Sequence, residues 1–142
     1  MKGAVLKGAK RADCIIMAAA VSDWRPRKAQ KSKIKKLGPS IRLELVKNPD
    51  ILKALGRAKG RMTLVGFALE TEDLIKNALK KLKEKNLDMI IANRLTPHGG
   101  IFGDGQAKVT IIDRFGAKDE ITASSKAKMA KIILDKVLAF NI

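Results

Sequence analysis

The chain has 142 residues, 46 % of them apolar, which is enough for one domain with a packed core and too much for a disordered tail. No apolar run approaches the roughly 20 residues of a membrane span. The formal charge of +16 attracts polyanions, so nucleic acid, acidic lipid and phosphorylated metabolites are the partner classes in view.

In chain order, Ala4, Val5, Leu6 and Ala9 fall on a helical period, which predicts a helix over residues 2–11. Nothing at this end has the form of a secretory signal, and Cys14 is the one cysteine, so no disulfide framework arises within the chain. Both features fit a cytoplasmic protein. Residues 14–20 are continuously apolar, the pattern of a strand buried on both faces, and Cys14 reads there as a core thiol more readily than as a nucleophile. Between Trp24 and Pro39 stand seven basic residues and no acid, with Pro26, Gly38 and Pro39 marking a loop. Such a loop could be a solvated face or a nucleic-acid contact. Its single aromatic gives no stacking series, and no zinc-finger or RNA-recognition spacing is present.

Residues 41–45 alternate strictly and read as a strand. Asn48-Pro49-Asp50 reads as a helix start with Asn48 at the N-cap, and the helix runs to about Ala58 before Gly60. Residues 62–67 predict a second buried strand. Thr71, Glu72 and Asp73 open a helix whose apolar face is Leu74, Ile75, Ala78, Leu79 and Leu82, and Lys80, Lys81, Lys83 and Lys85 suit its negative end. Residues 87–92 predict a third buried strand. Residues 96–105 hold one Pro and four Gly and read as a loop. Residues 108–113 and 118–122 flank Arg114-Phe115-Gly116-Ala117 as a hairpin, and Ser124 caps a last helix over 126–140. His98 has no partner in sequence and receives no role.

Strand–helix alternation implies an α/β fold: a Rossmann-like, three-layer parallel sheet with helices on both faces, followed by a hairpin. Ligands of such sheets bind beyond the carboxyl ends of the strands, here 19–23, 67–70 and 92–93. The usual glycine-rich phosphate loop is absent, as neither GxGxxG nor GxxxxGK[ST] occurs.

Five segments carry a more specific signal. Ala18-Ala19-Ala20-Val21-Ser22-Asp23-Trp24-Arg25-Pro26 resembles the AAAV-[AS]-D-[YWF]-R-P segment of phosphopantothenate–cysteine ligases, which are often fused to a phosphopantothenoylcysteine decarboxylase. Lys33-Ile34-Lys35-Lys36 is similar to that family's KIKK loop. Val46-Lys47-Asn48-Pro49-Asp50-Ile51 is similar to its KNPDI helix start. Val65-Gly66-Phe67-Ala68-Leu69-Glu70-Thr71 is similar to VGFAAET, with Leu69 in place of Ala. Lys85-Asn86-Leu87-Asp88 with Ala92-Asn93 is similar to its KNLD…AN strand.

The resemblance implies a single ligase domain over 1–142. It implies CTP-dependent ligation of 4′-phosphopantothenate to cysteine through an acyl-cytidylate, with magnesium, in a homodimer paired through the hairpin. FMN is implied only for a fused decarboxylase domain outside this chain. Lys33 is the implied catalytic cation, on a loop that closes over the activated intermediate. The implied CTP contacts are Met17, Ala18, Ala19, Asp23, Lys33, Val46, Lys47, Asn48, Pro49, Phe67, Lys81 and Lys85. Several have ordinary readings too: strand packing for 17–19, an N-cap for Asn48, core for Phe67, and dipole complementation for Lys81 and Lys85. Family members begin with a Gly- and Thr-rich phosphate loop upstream of the position matching Met1, so the expectation is a domain truncated at its N-terminus, either excised from a longer chain or completed by a separate subunit, and inactive alone. The reading from another class is a basic α/β module that binds nucleic acid.

Overall fold

The computed structural model describes residues 1–30, 32–34, 38–95 and 107–140. Its elements in chain order are α1 (Lys2–Ala9), β1 (Cys14–Met17), β2 (Trp24–Pro26), β3 (Leu45–Lys47), α2 (Ile51–Ala58), β4 (Thr63–Glu70), α3 (Leu74–Glu84), β5 (Met89–Arg94), β6 (Ala107–Asp113), β7 (Lys118–Ala123) and α4 (Lys126–Phe140). They divide into two compact units, Met1–Ala18 with Ile51–Ile142, and Ala19–Asp50.

The larger unit is built on a five-stranded sheet of order β1-β4-β5-β6-β7. β1, β4 and β5 run parallel, and β6 and β7 join antiparallel, so the hairpin extends the same sheet. Residues paired across strands point to the same face, and the two faces sort cleanly. One carries Leu64, Ala68, Ile90, Ala92 and Ile112 and packs against Leu55 of α2 and Ala78 and Leu82 of α3, with Val5 and Leu6 of α1 alongside. The other carries Val65, Met89, Ile91, Val109 and Ile111 and packs against Met129, Ile133 and Val137 of α4. This is the expected three-layer α/β arrangement with helices on both faces.

Central position explains why β4 and β5 are apolar on both sides: each has strands beside it and helices above and below. β1 departs from expectation. It is four residues long and half-buried, because β4 is its one neighbour in the sheet among the described residues, and Ala18, Ala19 and Ala20 lie exposed beyond it. The apolar face of α3 is the one its periodicity predicts. The last helix is capped by Ser125, whose Oγ accepts from Lys128 N at 3.2 Å, one residue after the expected Ser124.

The smaller unit holds a two-stranded antiparallel ribbon, β2 paired with β3 through Trp24↔Lys47, Arg25↔Val46 and Pro26↔Leu45. Two expectations are corrected there. The basic segment opens as a strand, and the predicted strand over 41–45 starts only at Leu45. Ile41 and Leu43 are 62 % and 58 % exposed, so their alternation has no core to face. The expected loop over 96–105 lies outside the described residues.

Candidate functional site

At the carboxyl edge of the larger unit, β1 ends level with the middle of β4: Met17 pairs with Gly66, the residue before Phe67. Met17 packs with the α1–α3 face and Phe67 with the α4 face, both half-buried. The edge therefore offers an exposed Ala18 and a half-buried Phe67. On β5, Asn93 is 4 % exposed, and its Nδ2 has no hydrogen-bond partner among the described residues.

The end of β4 holds a group that sequence reading did not single out. Glu70, its side chain 14 % exposed, accepts from Lys81 Nζ at 2.5 Å and from Asn77 Nδ2 at 3.2 Å. Asn77 and Lys81 are one helical turn apart on α3, so a carboxylate at the strand end gathers both. Lys81 thus reaches the ligand edge from a position late in its helix. The signal available in sequence was an acid closing a buried strand eleven residues before a lysine, and helix geometry alone does not aim that lysine.

Lys85 is placed differently. It is the C-cap of α3, and its backbone passes α2 so closely that a Cβ built on Gly56 would lie 1.8 Å from the Lys85 carbonyl oxygen. Asn86, at φ +53°, donates from Nδ2 to Gly56 O at 2.8 Å. This corner adjoins the amino ends of the strands, where Asp88 N donates to Leu64 O.

Asp88 itself is a buried carboxylate, 2 % exposed. It accepts from Lys59 Nζ at 2.8 Å, Leu64 N at 2.8 Å and Arg114 Nη1 at 2.7 Å. Burial, and secondarily the Asp88 charge, push the Cys14 thiol above its ordinary range, which disfavours the thiolate that nucleophilic work would need.

In the smaller unit, the expected contacts Asp23, Val46, Lys47 and Asn48 do come together. Asn48 N donates to Asp23 O at 2.7 Å, and Asn48 Nδ2 donates to Ser22 O at 2.7 Å. Arg25 Nη1 donates to Lys47 O at 2.9 Å and to Asn48 Oδ1 at 3.0 Å. Lys47 Nζ lies 5.5 Å from the centre of the Trp24 ring. This corrects the N-cap reading of Asn48: α2 starts at Ile51, and the Asn48 amide ties the ribbon to the turn before it. Ala19 accepts from Val21 N at 3.1 Å, and Pro49 is exposed. Lys33 is exposed, and neither its ammonium nor the Asp23 carboxylate has a partner among the described residues. Lys35 and Lys36 of the KIKK segment lie outside them.

No group of three or more His, Cys, Asp or Glu side chains among the described residues could hold a metal by itself. Magnesium commonly takes one or two carboxylates and completes its shell with phosphates and water, and the exposed Asp23 suits that limited part.

A family model described as the C-terminal domain of DNA/pantothenate metabolism flavoproteins matches residues 1–140. The chain is 40 % identical over 141 residues to the coenzyme A biosynthesis bifunctional protein CoaBC of Bacillus subtilis (strain 168), covering 99 % of this chain and 35 % of that protein. It is also 40 % identical over 139 residues to a cysteine/cysteine sulfinic acid decarboxylase from an unknown prokaryotic organism, covering 97 % of this chain and 39 % of that one. The chain thus spans little more than a third of these relatives. The crystal structure of the C-terminal domain of a coenzyme A biosynthesis bifunctional protein CoaBC aligns with a TM-score of 0.74 at 31 % identity, over 96 % of this chain and 58 % of that one.

Proposed function

The chain belongs to the family of DNA/pantothenate metabolism flavoprotein C-terminal domains, and from that membership we propose that it serves the CTP-dependent joining of 4′-phosphopantothenate to cysteine. In the proposed reaction the carboxylate of 4′-phosphopantothenate attacks the α-phosphorus of CTP. The bond to the departing pyrophosphate breaks and an acyl-cytidylate forms. The amine of cysteine then attacks the acyl carbon, the amide forms, CMP leaves and a proton passes to solvent.

The observation that supports this reading is the pairing of Met17 with Gly66, which sets the segments around Ala18 and Phe67 on adjacent strands at the carboxyl edge of a parallel sheet, where ligands of such sheets bind. Ala18 there allows a base to approach the backbone, and Phe67 supplies an apolar flank. Asp23 is an acceptor for a hydroxyl or amine of the nucleotide. Lys81 of the larger unit is a cation suited to phosphate charge, and Lys33 of the smaller unit is, separately, one suited to charge that develops on the acyl oxygen. Magnesium, when bound with the triphosphate, would neutralise phosphate charge, and Asp23 is the residue suited to share it. FMN is assigned to no residue of this chain.

Calorimetric titration with CTP and with ATP at about 150 mM salt tests the reading. CTP should bind more tightly, and its preference should survive added salt. Equal affinities that vanish together as salt rises would leave only counterion attraction by the +16 charge and would favour a basic module for nucleic acids.

A further inference from the structure

We infer that Arg25 is a positioning residue for nucleotide binding, acting through Asn48 to fix the backbone that carries Asp23; the inference rests on the CTP reading above. Asn48 holds both peptide units that flank the Asp23 Cα. Its Nδ2 donates to Ser22 O in the peptide before Asp23, and its backbone N donates to Asp23 O in the peptide after it, both at 2.7 Å. With those two carbonyls held, the direction in which the Asp23 side chain leaves the backbone is set.

Arg25 in turn holds Asn48. One guanidinium nitrogen donates to Asn48 Oδ1 at 3.0 Å and to Lys47 O at 2.9 Å. The first bond fixes which end of the amide faces Ser22, and the second ties the same nitrogen to the neighbouring backbone. The planar guanidinium presents donors in fixed directions, which suits this double contact. Every polar atom of the Asn48 amide therefore has a protein partner, whereas the Asp23 carboxylate has none among the described residues. The amide acts through Asp23, and Asp23 is left to meet the ligand.

The local structure has need of such a brace. β2 and β3 are three residues each, too short a pair to hold a geometry by themselves. Arg25, Lys47 and Asp23 are all exposed, where hydrogen bonds add little to global stability. The gain is a fixed orientation before the ligand arrives.

The test is a double-substitution cycle on CTP affinity in the whole chain, with Arg25→Met, Asn48→Ala and both together. Each single change should weaken CTP about tenfold, and the double should be hardly weaker than either single, since both break one brace. Thermal unfolding should stay near that of the unaltered chain. In nitrogen–proton correlation spectra the Asn48 side-chain amide should be well dispersed in the unaltered chain and collapse toward free amide positions in Arg25→Met. Arg27→Met is the charge control: Arg27 pairs with exposed Glu44 at 2.6 Å and should change affinity less than about twofold. Unchanged CTP affinity in Arg25→Met overturns the inference alone. So do effects that multiply in the double variant, or an Arg27→Met loss equal to that of Arg25→Met. An unaltered chain with no preference for CTP overturns the CTP reading and the inference with it.

Discussion

Lys33 is exposed in a basic segment, and its fold neighbours do not hold it, so its effect on stability should be small, within about 0.5 kcal/mol. Its expected effect is on chemistry. With the chain grafted in place of the matching region of the Bacillus subtilis relative, Lys33→Ala should slow amide formation on the order of 10²-fold, as removal of one preorganised charge-stabilising group does. Lys28→Ala, also exposed and in the same segment, removes equal charge and should leave the rate within about twofold. Equal losses from the two would make Lys33 one part of a diffuse field. At this scale the sequence was legible where a motif named a residue, and opaque where a role depends on a partner far along the chain. Asn48 had the composition of an N-cap, but Ser22 and Arg25, more than twenty residues earlier, claim its amide. Asp88 offered a clue that went unused, since a charge inside an apolar run such as 87–92 must find cations when that run is buried.

Among the elements, those with a regular apolar period were readable and those held by irregular contacts were not. β4, α3, β5 and the β6–β7 hairpin follow their patterns because each has a core to face. The alternation at 41–45 failed as a guide because Ile41 and Leu43 face solvent. Two glycines show how closely the layers approach, and they should respond differently to alanine. At Gly56 an added methyl meets the Lys85 carbonyl at 1.8 Å, and backbone there cannot yield without moving α3 from α2. Gly56→Ala should cost about 3 kcal/mol. At Gly66 the methyl meets Leu87 Cδ1 at 2.8 Å and Leu52 Cδ2 at 2.9 Å, the far ends of side chains that can turn, so Gly66→Ala should cost about 1 kcal/mol. Urea unfolding midpoints read both, and a milder loss at Gly56 than at Gly66 would refute the packing argument.

On the scale of the whole molecule, β7 is the edge of the sheet beyond β6, with Lys118, Asp119 and Glu120 exposed along it. The expected pairing of two chains through the hairpin would use this edge, and its mixed charges favour antiparallel self-association over repulsion. Light scattering should return twice the 15.5 kDa of one chain at high concentration. Lys118→Glu would remove the cation that β7 itself contributes to this edge and should return the single-chain mass. A single-chain mass for the unaltered protein at every concentration would count against the assembly. The three-layer plan was legible from strand–helix alternation, whereas the separate contact unit of 19–50 was not, because a short ribbon leaves no periodic trace. The carboxylate of Asp88 has one further consequence, for the order in which the larger unit assembles. Its partners come from the segment after α2, the start of β4 and the hairpin turn, so no short stretch of nascent chain contains them all. Drying that charge before both cations arrive is costly, which discourages stable half-built states. The segment after α2 and the hairpin turn therefore each gain from the other's arrival at Asp88, and Arg114 completes a charge balance that the chain as far as β5 lacks.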